Sequence, residues 1–329
     1  MTLPKLNRRE FGLGAAALGS AFLSRSAVAD DWPSRIIKLV IPFPPGGAND
    51  AIGRVVADKL SKSLGQTVVV ENRPGAGGSI GAAQVANAAP DGYTILFGYV
   101  GNLAFAKSIY PSLSYDPLTS FVPISNLAMT PTTLIVNPSL PVHSVKELIE
   151  YSKDRPGRLA YSSGGNGTAA HITMAYFCHQ AGLSMVHVPY RGTAPSVTDL
   201  IAGQVQVTFA AWPGIQAFVK EGRIRALAVS SSQRVPYAPE LPTVAEAGIP
   251  GFESTLWYGV LAPANTPVAI VKRLDAELAQ IMKLPDILKY LALDGGFPDY
   301  KDSETFHAFI GSEIDRWGRI IKAAGIGHT

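Results

Sequence analysis

The chain has 329 residues, 47% hydrophobic and 16% charged, which is enough apolar material for a sizeable core divided between two lobes. Its 32 glycines and 25 prolines stay below the roughly 25–30% share of low-complexity chains, and the lone Cys178 excludes an intramolecular disulfide and a multi-cysteine zinc site. The net charge of +3 arises in the first 29 residues; beyond them 24 basic side chains face 24 acidic ones, so no electrostatic footprint for nucleic acid or an anionic membrane is present.

Residues 1–29 read as an export signal. Asn7-Arg8-Arg9-Glu10-Phe11 precedes an apolar stretch at 12–23, too short for the ~20 residues of a spanning helix. Ala27 and Ala29 then supply an Ala-x-Ala cleavage signal before Asp30. The paired arginines predict a twin-arginine signal, with an ordinary Sec leader as the alternative.

The mature chain opens with a β-branched strand at 36–41, the turn Phe43-Pro44-Pro45-Gly46-Gly47-Ala48-Asn49-Asp50 and a helix at 51–64. A strand at 67–70, a turn at 72–78 and a helix through Ala82, Val85 and Ala86 repeat the pattern, and a third strand at 93–97 follows Pro90-Asp91-Gly92. Strands alternating with helices predict a mostly parallel sheet covered on both faces. Residues 121–136 are extended and interrupted by proline, which suits a crossing between lobes.

A second α/β unit follows. It has a helix at 145–153, a strand at 159–162, the loop Ser163-Gly164-Gly165-Asn166-Gly167-Thr168 and a helix at 169–180. The alternation continues with a strand at 185–188, a helix near 195–201 and strands at 205–210 and 226–230. Residues 252–261 are extended again, a return crossing, and the tail is helical at 268–282 and 303–324, with breaks at Pro285 and Gly295-Gly296. The expected architecture is two α/β lobes joined by two extended crossings, the last helices packing back on the first lobe.

Three glycine-rich loops at strand-to-helix junctions carry the candidate chemistry: 45–50, 74–81 and 164–171. The first N–H groups of a helix lack intrahelical partners and sit in the positive end of its dipole, and glycine lets an anion approach the backbone closely. The plainer reading is that each glycine serves a tight turn. Asp50 either faces a ligand or caps its helix, the latter being the favoured role of Asp. His171, in the first turn after the third loop, either sees a ligand or serves capping and packing.

No loop contains Gly-Lys-Ser/Thr, which excludes a P-loop. Gly75-x-Gly77 lacks the third glycine of a dinucleotide fingerprint. Gly77-Gly78-Ser79-Ile80-Gly81 matches the Gly-x-Ser-x-Gly of serine hydrolases, with His171, His187 and His307 downstream; however, Pro74 and several glycines separate it from the strand. No histidine spacing suggests a metal, and no cofactor is expected.

These loops occur together with Glu71-Asn72-Arg73-Pro74-Gly75-Ala76-Gly77-Gly78, Pro90-Asp91-Gly92-Tyr93-Thr94, Val188-Pro189-Tyr190-Arg191-Gly192, Leu241-Pro242-Thr243-Val244-Ala245-Glu246-Ala247-Gly248 and Trp317-Gly318. In this order, from about residue 32 to residue 326, they strongly resemble the Bug family, also called TctC, the substrate-binding proteins of tripartite tricarboxylate transporters. The resemblance implies an α/β, two-lobed type 2 periplasmic binding protein fold with a ligand cleft between the lobes. Lobe 1 would comprise 30–128 and 258–329, and lobe 2 would comprise 129–257.

It further implies a non-catalytic periplasmic protein, a monomer, that captures a small organic carboxylate for membrane permease subunits. Carried over residue by residue, the ligand-binding positions are Gly46, Gly47, Asn49 and Asp50 in the first loop and Ser163, Gly167, Thr168, Ala169 and His171 in the second lobe. Asn102, Ala211, Trp257 and Tyr258 are wall candidates, and Arg191 forms an ion pair with either the ligand or the protein. Where the family carries Asp after the Phe of its Val-Asp-x-x-Phe-Asp stretch, this chain reads Phe209-Ala210-Ala211-Trp212. An amino-acid ligand, whose ammonium group wants an acid, is thereby disfavoured against a carboxylate without an amine. The alternatives from other classes are a secreted α/β hydrolase using Ser79 and a ligand-presenting partner of a sensor kinase.

Overall fold

The computed structural model describes residues 32–326 except Asp294; the export signal read at 1–29 lies outside the described residues. Strands β1 (Ile37–Ile41), β2 (Val68–Asn72) and β3 (Thr94–Tyr99) are separated by α1 (Ala48–Leu64) and α2 (Ser79–Ala86). They pair in parallel in the order β2-β1-β3. Residues Ile37, Leu39, Val40 and Ile41 of β1 are all buried, as expected of a central strand covered on both faces. A turn of π-helix (Gly101–Phe105) and the short α3 (Ala106–Ile109) follow β3.

The predicted crossing is one 16-residue strand, β4 (Phe121–Val136). Its first two-thirds pair antiparallel with β9 (Thr255–Pro263), which fills the place between β3 and β4. Its last residues, Thr132 to Val136, pair with β7 (Val207–Ala211) and β8 (Arg225–Val229) in a second sheet. That sheet is extended by β5 (Ala160–Ser163) beside β7 and β6 (Val186–Pro189) beside β5, all parallel. Helices α4 (Val145–Lys153), α5 (Ala169–Ala181), α6 (Thr193–Ile201) and α7 (Gln216–Lys220) connect these strands.

The tail is richer than two helices. After α8 (Val268–Ile281), Pro285 opens α9 (Pro285–Leu293) instead of only breaking the chain, because the missing N–H of proline costs nothing in a first turn. A short edge strand, β10 (Phe297–Lys301), then pairs with β4; Pro298 is tolerated there because an edge need not supply every N–H. The last helix, α10 (Ser303–Ala323), starts at Asp302, whose side chain accepts the Thr305 N–H.

One feature of α10 ties the molecule together. Glu313 accepts the indole N–H of both Trp257 on β9, at 2.9 Å, and Trp317, at 3.0 Å. Trp317 also meets Phe105 edge-on at 4.7 Å and Tyr176 of α5 at 5.8 Å. The last helix thus seals the first sheet and reaches the second. Each large side chain buried there contributes about 1.5–3 kcal/mol.

Candidate functional site

The first loop, between β1 and α1, is built to leave a helix end bare. Gly46 has φ +85°, a conformation open to glycine, and Gly47 occupies the N-cap position with no side-chain cap. A Cβ on Gly47 would meet nothing closer than 4.0 Å. Asp50 is not the N-cap that its residue type suggested. It sits in the first turn, 4% exposed, and reaches back: Oδ2 accepts the Gly46 N–H and Arg54 Nε, both at 2.9 Å, and Oδ1 accepts Asn72 Nδ2 at 2.8 Å.

Burial pushes the Asp50 carboxyl up, but the donors from Arg54, Gly46 and Asn72 outweigh it and hold the group below its ordinary value. Two expectations are corrected here: Asp50 is committed to the protein, and so is the Gly46 N–H. The donors left free in this loop are the amides at the start of α1 and the half-buried Asn49 side chain, which has no hydrogen bond among the described residues.

The loop between β2 and α2 runs through positive φ at Gly75, Ala76, Gly77 and Gly78. It packs against the first loop, since a Cβ on Gly78 would lie 3.4 Å from Pro42 and 3.5 Å from the Phe43 ring. Behind it stands an aromatic wall. Tyr99 donates its hydroxyl to the Gly77 carbonyl at 3.3 Å and meets Phe43 edge-on at 4.6 Å. Glycine at 101 makes room for it, because a Cβ there would lie 2.0 Å from the Tyr99 hydroxyl.

Asn102, fully buried in the π-turn, accepts the Tyr99 N–H through Oδ1, while its Nδ2 has no partner among the described residues. Tyr258 lies directly opposite Tyr99 in the β3/β9 ladder. Trp257 is corrected: it points to the other face of β9, wholly buried and bonded to Glu313, because successive residues of a strand alternate faces. Ser79 has Tyr115 as its partner, at 3.4 Å. His171, His187 and His307 are engaged with Gly167, Ser163 and Leu118, and among the described residues no histidine bonds Ser79.

In the second sheet, the loop after β5 folds upon itself. Ser163 Oγ donates to the Gly165 carbonyl and accepts the Gly165 N–H, each at 3.1 Å, and lies 2.7 Å from His187 Nε2. Thr168 Oγ1 donates to the same carbonyl at 2.7 Å, which commits its one hydroxyl proton to the loop. Gly167 N–H is given to His171 Nδ1 at 3.2 Å. The amides of Ala169 and Ala170, opening α5, have no intrahelical acceptor.

Gly164 abuts Gly192 in the turn after β6, with a Cβ position 3.3 Å from the Gly192 carbonyl carbon. The neighbouring Arg191 is exposed with no partner among the described residues. Ala211 ends β7 opposite Thr132, where β4 passes between the sheets.

The two loop systems meet. Tyr110, after α3, donates to the Asn166 carbonyl at 3.3 Å, and the Cβ position of Gly77 is 3.2 Å from the Gly167 carbonyl oxygen. Tyr99 and Tyr110 were missed from the sequence, and His187 was named there only as a possible partner of Ser79. The only signal for His187 is the alternation Val186-His187-Val188, and for the tyrosines a cluster of rings around the π-turn. Among the described residues no group of three or more His, Cys, Asp or Glu is placed to hold a metal.

Residues 52–326 match the family described as the tripartite tricarboxylate transporter family receptor, TctC. The chain belongs to the TctC family. Protein BugT of Bordetella pertussis is similar to it, 36% identical over 94% of this chain and 95% of that protein. Among solved structures, an R. palustris protein with adipate gives a TM-score of 0.85 at 38% identity over 90% of this chain and 99% of the other. MatC from Rhodopseudomonas palustris with bound malate gives 0.82 at 30% over 88% and 100%. As a TctC member the chain is a periplasmic solute-binding protein with the type 2 binding-protein fold, and not a hydrolase.

Proposed function

We propose that this TctC protein captures a small organic carboxylate that carries no amine, in the cleft between lobe 1 (30–128 with 258–329) and lobe 2 (129–257), and delivers it to the permease subunits of a tripartite transporter. The observation that carries this reading is that the glycine turn at 75–78, packed on the first loop through Gly78, closes on the Gly167 turn, which gathers the glycine-lined starts of α1 and α5 into one loop cluster. Bare amides at both helix starts suit an anion.

The charge inventory supports the absence of an amine. In the loop segments 42–50, 75–81, 99–110, 163–171 and 190–193 the one acid is Asp50, already bonded to Arg54. Lys107 is paired with Asp116. What remains is Arg191, the unpaired Asn102 Nδ2 and neutral donors, a set that gives an ammonium group nothing to pair with. The relatives solved with adipate and malate supply the scale of the ligand.

The test is mass spectrometry of the co-purifying acid followed by calorimetric titration of that acid, of adipate and of 2-aminoadipate. The carboxylates should bind and the amino form should be weaker by roughly tenfold or more. Equal or tighter binding of 2-aminoadipate, or of an acid's methyl ester, refutes the reading. Gly47→Val should fold, since its Cβ meets open space, and should lose the ligand.

A further inference from the structure

The second-lobe loop rests on a stack of three rings. Strands β5 and β6 pair with Tyr161 opposite His187, which lays the two rings 4.8 Å apart and 20° from parallel. On the other face of His187 lies His171, 4.1 Å away and 13° from parallel. His171 comes from the first turn of α5, so the stack joins a strand, its neighbour and the helix that the loop introduces.

One of the two protons is fixed by the hydrogen bonds. Ser163 Oγ lies 2.7 Å from His187 Nε2 and 3.1 Å from the Gly165 carbonyl oxygen, so its bond to His187 forms with either imidazole tautomer. His171 Nδ1 accepts the Gly167 N–H, so its proton is on Nε2. Both imidazoles are neutral, and between them they hold Ser163, Gly165 and Gly167 in place.

The titratable groups facing the pair are Tyr161 on β5 and, behind it, Cys178 on α5, both kept protonated by burial, Cys178 up at about 12. Among the described residues no acid, lysine or arginine bonds to either ring. Burial and the neighbouring His187 push His171 down to about 4, and burial pushes His187 down to about 4. A proton arriving at Nδ1 of His171 would set an N–H donor against the Gly167 N–H and place a cation 4.1 Å from the second imidazole.

We propose that His171 and His187 are positioning residues of the ligand clamp, a neutral imidazole pair that fixes residues 163–168 in their binding conformation and releases them on taking up a proton. This rests on the reading of that loop as a ligand clamp. It assigns to His171 a role through the Gly167 amide instead of direct contact with the ligand.

The experiment uses the mature chain and adipate as probe, with folding checked by near-ultraviolet circular dichroism. His171→Ala and His187→Leu should weaken binding at pH 7 by roughly tenfold. His171→Asn, whose Oδ1 replaces Nδ1 as acceptor, and His187→Gln, whose side-chain amide can bond Ser163 as donor or acceptor, should recover most of it. On acidification from pH 6 to 3.5 the wild type should lose the probe more steeply than the double variant His171→Asn/His187→Gln; comparing the two cancels the protonation of adipate itself. Parallel losses, or an Asn variant no better than Ala, overturn the proposal.

The Gly167 amide resonance separates this inference from the carboxylate reading. If it follows the state of His171 while no carboxylate binds, the positioning stands and the carboxylate reading falls. If carboxylates bind while the Gly167 amide is indifferent to His171, the positioning alone falls.

Discussion

The contact between Tyr110 and the Gly167 turn lends itself to a double-mutant test. Gly167 has φ +73°, and a Cβ added there would lie 2.6 Å from the Tyr110 hydroxyl, well inside the roughly 3.5 Å of an ordinary non-bonded contact. Gly167→Ala therefore carries two separable costs. The left-handed backbone costs about 1–2 kcal/mol of folding stability whatever surrounds it. The clash drives the Tyr110 hydroxyl from the Asn166 carbonyl that it meets at 3.3 Å, a loss of about 1 kcal/mol felt where the two loop systems touch.

Tyr110→Phe alone loses the same hydrogen bond and should weaken binding by about fivefold. In the double variant the hydroxyl is absent and the nearest ring atom is 3.3 Å from the new methyl, so binding should fall little further while the backbone cost persists. The expected pattern is a backbone cost in thermal stability that appears with or without the Tyr110 hydroxyl, together with a coupling of about 1 kcal/mol in binding. Thermal unfolding measures the first and calorimetric titration with the co-purifying acid or adipate the second. If Gly167→Ala weakens binding equally with and without the Tyr110 hydroxyl, the contact is no part of the liganded state.

Other outcomes follow from the same geometry. Glu313→Leu should strand two buried indole N–H groups and cost about 2–5 kcal/mol, read by urea unfolding followed through tryptophan fluorescence; a loss under about 1 kcal/mol would contradict the shared-acceptor role. Asp50→Ala removes the acceptor of the Gly46 N–H, so amide exchange at Gly46 should quicken, and unchanged exchange would show that the loop is held otherwise. Folded His171 and His187 titrate at about 4 against an ordinary 6.5, so between these values the unfolded chain binds more protons and unfolding free energy falls as pH drops. Tm should therefore decline from about pH 6.5 to pH 4 and decline less in His171→Asn/His187→Gln; equal declines would place the acid sensitivity elsewhere.

Much of the backbone plan was legible in the sequence, because β-branched runs ended by Pro-Gly turns report strands and junctions directly. The crossing at 121–136 is β4 over the same residues. Direction and partner were harder. Asp50 is a good cap by residue type, yet its position in the first turn lets it reach Gly46, Arg54 and Asn72 at once, and Asn72 comes from another strand. Which of Trp257 and Tyr258 shares a face with Tyr99 depends on the β3/β9 register, and the acceptor that Trp257 meets on its side comes from α10, 56 residues away. Local pattern likewise could not show that the Thr168 and Ser163 hydroxyls both turn to one carbonyl, nor that His187 lies flat on His171, because both depend on how the loop closes over neighbouring strands.

The strand order also sets a timetable for the chain as it is made. Every strand of the second sheet comes from residues 132–229, one uninterrupted stretch. The first sheet begins at residue 37 but receives β9, which lies between β3 and β4, only from residues 255–263. Until then β3 and β4 each present an unpaired edge, the kind of surface that recruits other strands. The sheet whose residues are synthesised first is the last to be completed, so a chain cut before residue 255 would keep a whole second sheet and an open first one.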